Sequence, residues 1–424
     1  MLPACASLLR SQAKKTHKLA ACATKEDRVP LLIGMDEAGL GPNLGPFVVA
    51  ATVWEVPSPA SGFDFWTAFE QVLTRSPSSC DPRLHVADSK QVFQSGHGIG
   101  SLERGVWSAL RLCGLKPATF RDLCAALACP LAPRLGEERA RVRGADERAA
   151  IALNNRLDEQ PIPIGDGQPS EKRPPHPHPL PRRRGRGDRS PTSRAVNVER
   201  SLFDDDELAA AGVAEPDRDD APPWYDDESL ALPVESSDEC LVEPWRQICE
   251  RLGVRLVAIR AAVVEPSRFN RLVRQYDNKA AATSRIAMNL LRGIWHPDDG
   301  VEALVVADKH GGRNFYKPLL AETFDGVQIL TVEEGAERSV YRVGNGELRF
   351  QPRAEEHGPV ALASMTAKYL RELAMHQFNR FWRRQLPGLK PTQGYPVDAK
   401  RFRAEIADFQ RSLDISDDVL WRER

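Results

Sequence analysis

The chain has 424 residues, 42% of them hydrophobic, and a formal net charge of -1. That length suffices for a sizeable core and for two or three domains. A near-neutral balance rules out inferring a nucleic-acid or membrane partner from global charge, so any such site must come from local clustering.

No apolar run approaches the length of a membrane span. The eight cysteines contain no C-x-x-C pair, so buried reduced thiols are expected rather than a zinc site. "LAAC" at 19–22 has the look of a lipoprotein box, but it follows "KKTHK" rather than an apolar segment. Residues 1–29 therefore read as a disordered tail, and the cytoplasm is the expected compartment.

Residues 30–133 read as globular. "LLIGM" and "PFVVAATVWEV" are strands joined across a Gly/Pro-rich turn, and "VWSALRLCGL" and "TFRDLCAALA" are short helices. Residues 134–245 change character, first Pro- and Arg-rich, then acidic, with too little apolar content to offset the entropy of ordering. They read as a disordered insertion, a solvated linker rather than a nucleic-acid arm. Residues 246–424 are globular again. "RLVAIRAAVVEP" is a strand that stops at Pro266, and residues 267–295 form a long helical stretch broken near Asp277. "VEALVVAD" is a continuous apolar strand, hence central and covered on both faces. "VQILTVEE" and "SVYRVGNGELRFQ" are strands, the second pair turning at Asn345-Gly346, and residues 359–386 form a long helix. This order describes an α/β layer fold.

Carboxylates end the two most apolar strands: Asp36, with Glu37 beside it, and Asp308. Glycines follow both, Gly39 and Gly41 in one case and Gly311 and Gly312 in the other. A single acid at a strand end is usually a cap or turn former. Two at adjacent strand ends could converge beyond the sheet, where α/β sites form. Like charges at close range call for a cation, and oxygen-only ligation suits Mg2+ or Mn2+. Adjacent acids can serve one metal only where the alternation of side chains breaks, and Gly39 and Gly41 would allow that bend and a close backbone approach. A fourth acid, Glu372, lies at the margin of the last long helix's apolar stripe. Lys368, four residues earlier, makes a surface ion pair the plain reading of Glu372 taken alone.

"GMDEAGLGPNLGPFVVAATV" resembles the opening of bacterial and archaeal ribonuclease HII. "ADSKQV" (87–92), the helical stretch "EPSRFNRLVRQYDNKAAATSRIAMNLL", "ALVVAD", "ALASMTAKYLRE" and "QGYP" (393–396) are similar to further blocks of that family, in its order. The resemblance covers about residues 30–110 and 250–405. It implies a ribonuclease H-like mixed β-sheet flanked by helices, with a helical C-terminal part. It also implies a metal-dependent endonuclease that hydrolyses the RNA strand of RNA–DNA hybrids, or of ribonucleotide-containing duplexes, leaving 5'-phosphate and 3'-hydroxyl ends. Asp36, Glu37, Asp308 and Glu372 would be both catalytic and metal-holding. Gly39, Leu40 and Gly41 would read the 2'-hydroxyl through their backbone. Lys90, Lys279 and Lys368 would meet phosphates, and Tyr395 would stack beside the ribonucleotide. A monomer is expected.

Three features depart from the family pattern. Leu40 stands where a basic residue is usual, Glu372 stands where aspartate is usual, and an extra hairpin surrounds Gly346. A catalytically inactive hybrid-binding protein, and a different nuclease on the same fold, are the alternative readings. A nucleotide-binding reading of "GLGPNLG" lacks the Gly-Lys-Ser/Thr ending of a phosphate loop.

Overall fold

The computed structural model describes residues 29–78, 80–93, 98–129, 222–225, 230–235 and 239–423. Residues 1–28 of the tail expected over 1–29, and most of the insertion expected over 134–245, lie outside them.

The elements run β1 (Leu31–Ala38), β2 (Phe47–Glu55), α1 (Phe65–Ala68), β3 (Leu73–Thr74), β4 (Leu84–His85), α2 (Ser89–Val92), α3 (Gly100–Leu112) and α4 (Phe120–Leu127). After the insertion come α5 (Val242–Leu252), β5 (Arg255–Val264), α6 (Pro266–Tyr276), α7 (Lys279–Arg292), β6 (Ala303–Asp308) and α8 (Lys317–Thr323). The last group is β7 (Ile329–Glu334), β8 (Ser339–Val343), β9 (Gly346–Gln351), α9 (Gly358–Gln385), α10 (Pro396–Ser412) and α11 (Asp417–Leu420).

Seven strands form one mixed sheet in the order β5-β2-β1-β6-β9-β8-β7. β6 is parallel to both of its neighbours, β1 and β9, and the other pairings are antiparallel. The expected central strand is therefore central. Period-two alternation sends its residues to two different cores. Leu304 and Val306 join Leu32, Val48 and Trp54 under α3, α5 and α9. Val305 and Ala307 join Ile33, Met35 and Val49 under α6, α7 and α8. Helices thus cover both faces of a mixed sheet, as the resemblance implied.

Local chemistry explains the element ends. Pro266 opens α6, where its missing N–H costs nothing. Asp277, left-handed at φ 47°, closes it, and Asn278 caps α7 by accepting from the Ala281 amide, 3.1 Å. The helical stretch breaks where the sequence said it would. The hairpin turn is shifted by one residue, because Val343 pairs with Gly346 and leaves Gly344-Asn345 as the two-residue loop. Gly344 supplies the positive φ of 55°. Gly346 is needed for packing instead: a Cβ there would come within 2.3 Å of the Trp295 ring.

Two features place α9 over the sheet. A Cβ on Gly34 would meet the Pro359 carbonyl carbon at 2.3 Å, so this strand and the helix start touch backbone to backbone. The Thr52 hydroxyl donates to the Pro359 carbonyl, 2.8 Å. Residues 361–372 of α9 are thereby carried across the strand ends.

The late part of the expected insertion packs onto this fold. Trp224 is buried, its ring 5.0 Å from that of Phe378, and Leu230 is buried in the core under α3. Phe120 donates to the Leu230 carbonyl, 2.8 Å, and Val234 to the Glu103 carboxylate, 2.8 Å. The globular part therefore resumes before residue 246, with residues 222–225 and 230–235 already in place.

Candidate active site at two parallel strand ends

β1 and β6 are paired from Leu31↔Ala303 to Met35↔Ala307. Asp36 and Asp308 are the next residue on each strand. The register sets these two aspartates side by side where the parallel pairing of the two strands ends. β1 does not stop there: on its other edge it stays paired with β2 through Glu37↔Val49 and Ala38↔Val48. The alternation expected to break at the two acids therefore persists. Asp36 lies opposite Ala50, on the α9 face, and Glu37 lies opposite Val49, on the other face. Asp308, next after Ala307, falls on the Asp36 face.

Burial dominates the electrostatics. It pushes the Asp36 carboxyl up to about 7, against a hydrogen bond from Ser364, and the charges of Asp308 and Glu355 add to the rise. Glu37 is raised well above its ordinary value by burial, then by Asp36 and Asp308, with Lys90 opposing. Asp308 is raised by burial and held back by the amides of Lys309, Ala354 and Arg353 and by Lys90. Its Oδ1 is buried without a hydrogen-bond partner among the described residues. Glu355, in the turn before α9, is raised by burial and by the charges of Asp88 and Asp308. Glu355 thus joins the acid cluster although no sequence signal separates it from Glu356. Ser364, on α9, lies 3.1 Å from Ser89, whose helix carries Lys90, so α2 and α9 are tied together beside Asp36.

The fourth acid is engaged elsewhere. Glu372 lies two turns beyond Ser364 on α9, is buried, and accepts from Lys368 at 2.7 Å, with Arg371 at 3.6 Å. The expected ion pair exists, but it is buried rather than on the surface. Lys368 also lies 4.5 Å over the Phe93 ring. Lys279 donates to the Leu40 carbonyl, 2.8 Å, and so holds the glycine loop. Lys90 is exposed beside the acids. Gly39, at φ 93°, packs where a Cβ would meet the Pro46 carbonyl at 2.7 Å and the Arg371 side chain at 2.9 Å. The Leu40 side chain rests on the core under α6 and α7. Tyr395 is half-exposed, with its ring 3.8 Å from where a Gly41 Cβ would stand. His310 and Asn314 turn inward: His310 is buried, and Asn314 accepts from Lys309 at 2.7 Å.

An oxygen-only donor pair with a buried orphan oxygen fits a hard divalent cation. Asp36 and Asp308 make that pair. Among the described residues no group of three or more His, Cys, Asp or Glu side chains is arranged to hold a metal. The alternation that turns Glu37 to the opposite face, together with the Lys368 pairing of Glu372, accounts for this.

No family model and no curated protein matches the chain. Among solved structures, a chain of the PCNA:RNase HII complex from Archaeoglobus fulgidus aligns over 93% of this chain and 94% of that one, at 10% identity and a TM-score of 0.30. No helix among the described residues is long and apolar enough to cross a membrane.

Proposed function

We propose that this protein is a metal-dependent endonuclease that hydrolyses the RNA strand of RNA–DNA hybrids. The observation that carries the reading is the pairing of Asp36 with Asp308 where the parallel pairing of β1 and β6 ends, next to a glycine loop that is open at Gly41. The family-like order of motifs in the sequence supports the substrate class.

Asp36 and Asp308 would hold divalent metal, Mg2+ or Mn2+, with Glu355 close to Asp308, while Glu37 on the opposite face and Glu372 paired to Lys368 lie outside that pair. Held by these residues, such ions would supply an activated water and stabilise the leaving 3'-oxygen. The chain's own groups do the rest. Burial and mutual repulsion of the acids make a cation welcome. Lys90 places positive charge at the rim for a phosphate. Tyr395, against Gly41, offers a ring to the sugar or base beside the cleaved bond. The free edge of Gly41 leaves room for a 2'-hydroxyl.

The test is a cleavage assay with Mg2+ and with Mn2+ on a uniform hybrid, a duplex carrying one ribonucleotide, and plain DNA. Metal-dependent cleavage confined to RNA linkages is the expected result. A chain that binds hybrid and leaves it intact with either metal would be a binding protein instead. The Lys368–Glu372 ion pair, which neutralises one expected ligand, is the observation that favours this second reading.

A further inference from the structure

Arg422 is nearly fully buried, at 1% exposure, and lies far from Asp36 in sequence. Its Nη2 donates to the carbonyls of both Gly39 and Pro42. Its own amide donates to the Asn43 carbonyl, 2.8 Å, and the Asn43 side chain returns a bond to the Arg422 carbonyl, 3.3 Å. Trp421 bridges to Leu44. Arg371 takes the Leu44 carbonyl, 3.3 Å, and Lys279 takes that of Leu40, 2.8 Å. Cations thus hold the carbonyls of Gly39, Leu40, Pro42 and Leu44.

A trans peptide points its C=O and the next N–H in opposite directions. With the Gly39 carbonyl held by Arg422, the Leu40 amide faces away from Arg422. With the Leu40 carbonyl held by Lys279, the Gly41 amide faces away from Lys279. No acceptor among the described residues takes either amide. The amide of Asn43, by contrast, is bonded to the Gly394 carbonyl, 2.7 Å.

The clasp is expensive. Nε and Nη1 of Arg422 are buried without hydrogen-bond partners, faced by the Phe269 ring at 5.2 Å. A buried cation with idle donors stabilises a fold poorly compared with an apolar side chain. We propose that Arg422 is a positioning residue: it fixes the glycine-loop carbonyls so that the Leu40 and Gly41 amides are presented to the substrate strand. The substrate half of this inference rests on the hybrid reading above, while the loop half does not.

The experiment compares the parent with Arg422→Met and Arg422→Lys. Residue-resolved amide exchange reads the loop at Asn43 and Leu44. Fluorescence anisotropy with Ca2+ reads binding of an RNA–DNA hybrid and of the matching DNA duplex. Losing two charge-assisted bonds should speed exchange at both amides by at least about tenfold in Arg422→Met, and weaken hybrid binding about tenfold with DNA binding changed less than about twofold. Arg422→Lys, which reaches one carbonyl, should recover roughly half of that loss on a logarithmic scale. Unchanged exchange overturns the clasp, and equal losses on hybrid and DNA overturn its role in reading RNA. If the parent itself does not distinguish hybrid from DNA, the proposed function fails, and exchange alone decides the clasp. Should Arg422→Met fail to fold, the same two readouts on Arg422→Lys decide it, with no change counting against the proposal.

Discussion

Replacing Glu265 with glutamine should remove a pH dependence of stability that the fold imposes. Glu265 follows β5 and faces the Tyr225 hydroxyl, which donates to it at 2.9 Å. Burial pushes its carboxyl from 4.5 up to about 7, with the Tyr225 bond and the Arg422 charge opposing the rise. Between those two values the folded state binds the proton and the unfolded state does not. Stability from this group is therefore fully present below 4.5 and is lost as pH rises through about 7. About 2.5 pKa units at about 1.4 kcal/mol per unit gives a loss of roughly 3 kcal/mol. Burial pushes His310 down to about 4, which acts in the opposite direction over part of the same range. The raised carboxyls of Asp36, Glu37, Asp308 and Glu355 add to the parent's own pH curve, so the difference between parent and variant is what isolates Glu265. Glutamine keeps the acceptor for Tyr225 and cannot ionise. Urea unfolding at about pH 5 and about pH 8 should show the parent losing roughly 2.5 kcal/mol relative to Glu265→Gln, most of the full effect. Parallel curves for the two proteins would show that Glu265 does not sit protonated in the fold, and the burial argument would be wrong.

Other expectations follow from the same geometry. Asp36→Asn or Asp308→Asn should lower hybrid cleavage by at least about a hundredfold, because a metal ligand supplies several kcal/mol to the transition state, and a urea melt should show the fold intact. Glu355→Gln should lower cleavage more than Glu372→Gln if the carboxylate beside Asp308 matters more than the one paired to Lys368, and the ratio of the two rates decides. Excising about residues 136–216 behind a short Gly/Ser linker should keep a cooperative melt, whereas cutting on to 238 removes Trp224 and Leu230 from their cores and should cost about 3–5 kcal/mol. Leu40→Arg should shift the salt dependence of hybrid binding by less than about one counterion, since Leu40 packs on the core under α6 and α7; a full unit would mean the side chain faces the substrate strand.

The parts of this fold legible in the sequence are those that local chemistry decides. β1, β2 and β6 are continuous apolar runs, and the α6–α7 break needs only a left-handed Asp277 and an Asn278 cap. The placing of Asp36 beside Asp308 was legible as well, because each follows an apolar run that must be buried on both faces. What escaped depends on contacts distant in sequence. β2 extends the pairing of β1 past Asp36, which keeps Glu37 on the far face, and no pattern within β1 shows that. Glu355 gains its place only because a turn folds back over Asp308. Residues 222–235 read as part of an acidic, Pro-rich insertion by composition, yet one Trp and one Leu in that stretch find prepared pockets against Phe378 and under α3.

The missing charge at Leu40 takes on a different meaning once the loop's underside is counted. A cation carried on the loop would lie beside the substrate strand and serve a phosphate directly. Here the cations lie beneath: Lys279, Arg371 and Arg422 bind loop carbonyls from within the protein. The bonds to Gly39 and Leu40 pull those carbonyl dipoles inward and turn the Leu40 and Gly41 N–H groups the other way, which would favour an anion there without a basic side chain. Buried charges act through a less screened medium than a solvated arginine would. A loop built this way should bind its ligand with a weaker salt dependence than one that relies on a surface arginine. Leu40 then has no charge to supply, and its side chain is free to anchor the loop on the core beneath it.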